Sequence, residues 1–333
     1  MASVRGVDVM FEIRHAGAKG FGVFASRLIP RGSRILAERA LLSINIHKTC
    51  ILTAAEQLSS KDHGALMRLS LNESKHFHSP GLIFAAWQAF SFNAMAIGQG
   101  MTILNIFCNN NFALSDELGT RAVFPTAARI NHSCVPNSQG NFNELLGSFT
   151  VHATRDIATG DEVTISYLHN ELGLRAARQT KLQEGYGFHC GCELCSGGSQ
   201  RRMESRERRT EIKTKLKAFS AQQSLLHVPD MVSHKLALTQ LIIDTHEKEG
   251  LAGRALASLY SAAAGLAMQL NDFALATTLG TRALELEKDA VGIDSSFYEA
   301  SQLALTQMSF PEGKALANLP YDVTPELSYA PWT

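Results

Sequence analysis

No apolar run in this sequence reaches the roughly 18 residues that a membrane-spanning helix needs. The nearest, Ala262–Leu270, is too short. The start, Met1-Ala2-Ser3-Val4-Arg5, has no apolar stretch of the kind a secretory leader carries. An excess of charge is missing as well. The 31 Lys and Arg balance 31 Asp and Glu, which excludes attachment to nucleic acid by bulk charge. No Gly-Lys-Ser/Thr follows the glycines of Lys19–Ala25, so a phosphate-binding loop is excluded there. These absences lead us to expect a soluble intracellular protein, in cytoplasm or nucleus, with no membrane attachment and no direct nucleic-acid binding. A monomer is expected.

What is present fits an ordinary globular chain of 333 residues, 45% hydrophobic, long enough for two domains. Cysteines are few but uneven. Of six, Cys190, Cys192 and Cys195 crowd together while Cys50 and Cys108 stand apart. Without a leader, such crowding points to thiolate metal binding rather than disulfides.

Residues 1–45 read as short strands. The stretch Val7–Ile13 roughly alternates, Gly17–Gly22 supplies a turn, and Val23–Ala25 and Arg34–Glu38 follow across the turn Ile29-Pro30-Arg31-Gly32. From 53 to 105 the period becomes helical, in Ala65–Leu69 and again in Leu82–Ala96. Strands return at Val123-Phe124, Phe149–Ala153 and Glu162–Tyr167. Ser196-Gly197-Gly198-Ser199 reads as a linker, and residues 201–310 are helical in pattern. Within them Arg201–Lys217 holds eight Lys or Arg against three Glu, the composition of a solvated helix face. Leu256–Leu270 and Phe273–Lys288, turning at Asn271-Asp272, resemble one tetratricopeptide-like helix pair. The end, Pro311–Thr333, carries four prolines and reads as an irregular tail.

Three segments carry chemistry. Lys19-Gly20-Phe21-Gly22 lets the backbone pass close to a ligand or take positive φ, as a hairpin turn also would. Arg129-Ile130-Asn131-His132-Ser133-Cys134-Val135-Pro136-Asn137 pairs an amide with an imidazole, suited to a polar ligand head or to an Asx turn before Pro136. Tyr186–Cys195 holds three cysteines of an incomplete tetrahedral zinc site, whose fourth ligand could be Cys134, His189 or His132.

In this order, and with the strand Gly160-Asp161-Glu162-Val163-Thr164-Ile165-Ser166-Tyr167, these segments resemble a SET domain followed by a post-SET zinc element. The helical insertion and helical C-terminal half make the chain most similar to the SET-and-MYND lysine methyltransferases and related fungal SET proteins. That likeness implies an α+β fold: a β-clip SET core in two parts (5–52 and 106–180), a helical insertion (53–105), a post-SET element (181–196), an all-α TPR-like domain (201–310) and a tail (311–333). It implies a protein-lysine N-methyltransferase that takes S-adenosylmethionine as methyl donor, holds one structural zinc, and acts on a lysine of a histone or another protein. The alternative is a catalytically silent SET scaffold that binds partners through its helical half.

Carried over by residue, the resemblance gives Lys19, Gly20, Phe21, Asn110, Ile130, Asn131, His132, Tyr186 and Phe188 to the donor pocket. Phe112, Tyr167 and Tyr186 wall the lysine channel, with Tyr167 beside the transferred methyl. Cys134 completes a zinc site with Cys190, Cys192 and Cys195. The family's cysteine-rich finger is missing, since residues 43–105 contain only Cys50. Phe21 also stands between glycines where a smaller or polar residue is usual. A helical half tethered beside the zinc element is expected to restrict access to the channel.

Overall fold

Alternation in Phe11-Glu12-Ile13-Arg14-His15 forms strand β1 (Phe11–His15), which pairs antiparallel with β2 (Phe21–Ala25) through a 3-10 turn at Gly17–Lys19. Gly20 closes that turn at φ 77°, a conformation that a side chain disfavours. The computed structural model describes residues 9–45, 47, 50–72, 94–115, 119–168, 172–222 and 227–308. The expected helix at 82–93, the first residues of the expected strand at 7–13 and the tail lie outside them.

Eight further strands follow: β3 (Arg34–Glu38), β4 (Leu42–Asn45), β5 (Asn111–Ser115), β6 (Thr120–Val123), β7 (Asn131–His132), β8 (Ser138–Asn143), β9 (Ser148–Ala153) and β10 (Glu162–Ile165). They form three small sheets, ordered β1-β2-β10-β7, β3-β9-β8 and β4-β6-β5. All pairings are antiparallel except β10 with β7, where Thr164 lies beside Asn131 and Ile165 beside His132. Val23, Ile35, Phe124, Ile130, Phe149, Val151, Val163 and Ile165 fill the space between the first two sheets.

Among the described residues, the expected insertion contains helices. Helices α1 (Ile51–Glu56), α2 (Ser60–Met67) and α3 (Ala94–Asn110) pack Leu52, Leu66, Ile103 and Phe107 against Leu42, Ile44 and Val123 of the third sheet. Helix α4 (Arg175–Tyr186) and a short turn of helix α5 (Glu193–Ser196) lead into α6 (Ser199–Gln222), α7 (Val228–Glu249), α8 (Arg254–Gln269), α9 (Phe273–Val291) and α10 (Ser296–Met308). The expected helix pair is α8 and α9. Asn271 takes φ 61° at their turn, and Asp272 caps α9 by accepting from the Leu275 N–H at 3.0 Å.

Two expectations need correction. Ser196–Ser199 is not a free linker: only two residues separate α5 from α6, and Gly197 donates back to the Glu193 carbonyl. Nor is Arg201–Lys217 wholly a solvated face. Arg201, Arg202 and Arg206 are exposed, but Arg209 is 1% exposed and bonded to Glu249 of α7.

The helical half shares its core with the cysteine element. Cys134, Val135, Cys190, Leu194 and Cys195 pack in one cluster with Ile212, Leu236, Ile243, Leu256 and Leu266. A second contact covers β8 and β9. Phe149, Val151 and Ala153 face the strand core, while His152 bonds Arg34, which pairs with Asp294 beyond α9. Arg31 pairs with Asp289, and Asn141 donates to the Ala290 carbonyl at 3.2 Å. With helices over its outer face, β9 is buried along its whole length.

Candidate functional site

The short parallel pairing of β7 with β10 fixes the site. Asn137 locks it from below. Its amide donates to the Glu162 carbonyl at 2.8 Å and accepts from the Thr164 N–H at 2.8 Å. From above, the Glu38 carboxylate accepts from the Thr126 and Ala127 N–H groups at the 3-10 turn Ala127–Arg129, which delivers Ile130 and Asn131. Burial pushes the Glu38 carboxyl up, and those backbone donors oppose it.

At one edge stands a polar corner. Lys19 Nζ lies 2.6 Å from Glu162 Oε2, while Asn131 Nδ2 donates to Glu162 Oε1 at 2.7 Å and to the Phe21 carbonyl at 3.1 Å. A Cβ at Gly22 would meet Glu162 Oε1 at 2.9 Å and Asn131 Nδ2 at 3.0 Å, so a side chain there would displace that pair. The Phe21 side chain is 52% exposed, with Arg129 over its ring at 5.3 Å. What Phe21 presents to the corner is its carbonyl, which makes the size of its side chain secondary.

Behind the corner, aromatic rings gather around Tyr167. Tyr186 lies 4.8 Å from it between centroids, His132 5.4 Å and Phe188 6.4 Å. Tyr167 donates its hydroxyl proton to the Ile130 carbonyl at 2.7 Å. Burial pushes its phenol well above the ordinary range, and Tyr186 and Glu162 add to that. The hydroxyl therefore stays protonated near neutral pH and turns its oxygen lone pairs outward as acceptors. His132 is fixed too. Its Nδ1 accepts from the Tyr167 N–H at 3.0 Å, so the proton of the neutral ring sits on Nε2, 3.3 Å from Cys134 Sγ. Burial lowers its pKa to about 4, against the charge of Cys192.

Cys134, Cys190, Cys192 and Cys195 bring their sulfurs within 4.8 Å of one another. Cys134 Sγ is 3.8 Å from that of Cys190 and 3.6 Å from that of Cys195. Tetrahedral zinc with ~2.3 Å bonds to sulfur sets its ligands roughly 3.8 Å apart, so this donor set fits zinc in number, type and spacing. The geometry selects Cys134 over His189 and His132 as fourth member of the group. Hydrogen bonding from Cys134 favours the thiolate of Cys195. Gln179 of α4 secures the cluster, donating to the Cys190 carbonyl and accepting from its N–H, both at 2.8 Å.

The structure thus gathers Lys19, Gly20, Phe21, Ile130, Asn131, His132, Tyr167, Tyr186, Phe188 and the four cysteines in adjoining positions. Two residues sit differently. Asn110 ends α3 with its side chain buried, donating to the Ser70 and Ile106 carbonyls at 2.8 and 2.7 Å. Phe112 packs its ring on Phe149 and Phe124, at 4.5 and 5.8 Å, rather than among the rings around Tyr167. Sequence reading missed Glu162, Asn137, Gln179 and Arg178. Glu162 and Asn137 stand inside motifs already singled out, and the charge of Glu162 opposite Lys19 was a usable signal. Arg178, in the charged run Arg175–Lys181, gave none.

Comparison with known proteins agrees with the strand core. Residues 20–168 match the family described as SET domain. The chain is 33% identical over 180 residues to histone-lysine N-methyltransferase set5 of Schizosaccharomyces pombe, across 54% of this chain and 48% of that protein. It is 38% identical to histone-lysine N-methyltransferase ASHR1 of Arabidopsis thaliana over 27% of this chain and 18% of that one. With Smyd1 of Mus musculus, also named a histone-lysine N-methyltransferase, identity is 33% over 29% of this chain and 22% of that one. The chain thus spans about half the length, or less, of these curated relatives. Among solved structures, the SET domain of LSMT bound to lysine and AdoHcy aligns over 97% of this chain and 95% of that one. Identity is 15% and the TM-score 0.39, a likeness too slight to bear on chemistry. No helix among the described residues is long and apolar enough to cross a membrane.

Proposed function

We propose that the SET domain carried at residues 20–168 makes this protein an S-adenosylmethionine-dependent protein-lysine N-methyltransferase. The observation that carries this reading is Tyr167, hydroxyl anchored on Ile130, in the aromatic cluster directly behind the Lys19–Glu162–Asn131 corner. The relatives named histone-lysine methyltransferases support the substrate class, a protein lysine of a histone or another protein.

The donor supplies an electrophilic methyl group on a sulfonium. Lys19, Asn131 and the backbone of Gly20 and Phe21 would hold its polar end, an ammonium and a carboxylate, since the corner offers both signs of charge and the second lone pair of the Phe21 carbonyl. The ring of Phe188 would cover its flat end. The protein's remaining task is to hold a neutral amine in line with the methyl carbon, which is a matter of proximity and orientation. A lysine of pKa about 10.4 is roughly 0.1% neutral or less near pH 7 and must lose a proton as it enters. Desolvation between Tyr167, Tyr186 and Phe188 favours that loss. Since the Tyr167 proton is committed to Ile130, its oxygen accepts from the amine N–H and aims the nitrogen lone pair. The raised phenol pKa makes it a positioning acceptor and no base.

Cys134, Cys190, Cys192 and Cys195 would hold one structural zinc, which ties the segment carrying Tyr186 and Phe188 to β7. Calorimetric titration of S-adenosylmethionine, followed by transfer of labelled methyl to lysine peptides, tests the reading. Binding of one equivalent and labelling that vanishes when the peptide lysines become arginine are expected. Absence of binding at millimolar donor would overturn it.

A further inference from the structure

Arg178 has no task in the methyl transfer proposed above, yet it is among the most buried charges of the described residues, at 3% exposure. Its Nε donates to Cys134 Sγ at 3.2 Å, its Nη2 reaches Cys195 Sγ at 3.7 Å, and its Nη1 donates to the Gly173 carbonyl. A guanidinium leaves water at high cost unless it finds opposite charge and acceptors. Here the acceptors are sulfurs of the cluster, and the opposite charge is that of thiolates. Four thiolates around a divalent cation leave excess negative charge, and N–H donors aimed at the sulfurs disperse it.

A second buried cation stands behind the first. Arg209 of α6 donates to the same Gly173 carbonyl at 3.0 Å and to Glu249 Oε2 at 3.1 Å. Glu249, on α7, also accepts from Ser205 at 2.7 Å and from Arg208 at 2.7 Å. Two cations therefore stand between two anions in the interior: sulfur cluster, Arg178, Arg209, Glu249. Two guanidinium groups meeting at one carbonyl repel, and each is held by the anion on its far side. Removing Glu249 would leave Arg209 unbalanced beside Arg178 and loosen the carbonyl that both share.

We propose that Arg178 is an outer-sphere partner of the four-cysteine metal site, held in place from the helical half through Gly173, Arg209 and Glu249. It is a positioning residue: it acts on the rate at which metal leaves, and so on how firmly Tyr186 and Phe188 are anchored. The proposal rests on the zinc reading above. Lysine in its place keeps the charge but loses the planar fork that serves two sulfurs and a carbonyl together.

The test uses the full chain loaded with zinc. Metal content is measured first, then the rate of zinc transfer to a coloured chelator. The sulfur-to-cobalt charge-transfer band of the cobalt-exchanged protein is recorded alongside. Wild type should hold one zinc. Arg178→Gln should release it about 10-fold faster or more, with the band moved to longer wavelength, because sulfur lone pairs rise in energy once the N–H donors are gone. Arg178→Lys should fall between the two. Glu249→Gln, which touches no cysteine, should accelerate release by a smaller factor. A wild type without zinc would remove the metal reading itself. With one zinc in wild type, an Arg178→Gln protein of unchanged release rate and unchanged band would overturn the role of Arg178. Should that variant not fold, Arg178→Lys with wild-type rate and band would overturn it equally. Unchanged release from Glu249→Gln would remove the brace from α7.

Discussion

Asn131 does two jobs with one amide, donating to Glu162 and to the Phe21 carbonyl. Truncation in Asn131→Ala leaves a partly buried carboxylate and a carbonyl short of a donor, at a cost of roughly 1–3 kcal/mol. Because the corner lies at the edge of the fold, the loss is expected in ligand affinity before stability. Calorimetry should show S-adenosylmethionine binding weakened about 10-fold or more, with a melting temperature close to wild type. Unchanged affinity would take the donor pocket away from this corner. Gly22→Ala presses on the same pair from beneath, meeting Glu162 and Asn131 at 2.9 and 3.0 Å. Its affinity should fall as well, and crystallography or amide chemical shifts should find β2 and β10 displaced.

At the scale of elements, β9 is where strand core and helical half meet, and a histidine sits in the seam. His152 is 1% exposed, faces Arg34 and Asp294, and has its pKa lowered to about 4 by burial first and Arg34 second. His246 of α7 is similarly buried, facing Arg209 and Glu249, with a pKa of about 4. Both bind a proton more readily once unfolded, near their ordinary 6.5. Stability is therefore full above about 6.5 and is lost as pH falls toward about 4. Between about pH 7 and pH 5 each histidine removes roughly 2 kcal/mol. Melting temperatures should fall across that window, and His152→Gln, whose carbonyl still accepts from Arg34, should lose part of the slope. A flat profile in wild type would contradict the buried neutral state.

The elements also show what was legible in the sequence. Periodicity and apolar runs located β2, β3, β9 and β10, the helical character of residues 201–310, and within it α8 and α9. They touched β6 only at Val123, placed β4 only within a general run of strands, and missed β5 and β8; in β8 polar Ser138, Asn141 and Asn143 are buried by hydrogen bonds that no pattern displays. Motif order singled out Asn131, His132, Tyr167 and the cysteines, which the fold brings to adjoining positions, since those residues stand in short contiguous signatures. The charges that complete the site did not show. Arg178 and Arg209 look like surface arginines until folding sets them against sulfur and Glu249, a pairing across sequence distance.

For the molecule as a whole, the likeness to known methyltransferases led us to expect a helical half that merely guards access. The shared core asks more of it. Cys190, Leu194 and Cys195 are buried partly against Ile212, Leu236 and Ile243, and Arg178 is braced from α6 and α7. A chain ended at residue 200 would expose that apolar face and strand Arg178. Such a fragment should be recovered as aggregate, or melt without cooperativity and lose zinc. A soluble 1–200 fragment with a sharp melting transition and bound zinc would show that the two halves are independent.

Tyr167 is the point on which residue, element and molecule converge. It is seated by β10, ringed by His132, Tyr186 and Phe188, and anchored through its hydroxyl to Ile130. The most direct measurement is single-turnover methyl transfer from S-adenosylmethionine to a lysine peptide, comparing wild type with Tyr167→Phe at matched donor occupancy. Loss of the hydrogen bond that orients the amine, which strengthens as positive charge develops on its nitrogen, should slow transfer by about 10- to 100-fold while donor affinity stays within about twofold. Transfer by Tyr167→Phe at the wild-type rate would contradict the central claim that this hydroxyl positions a lysine for methylation.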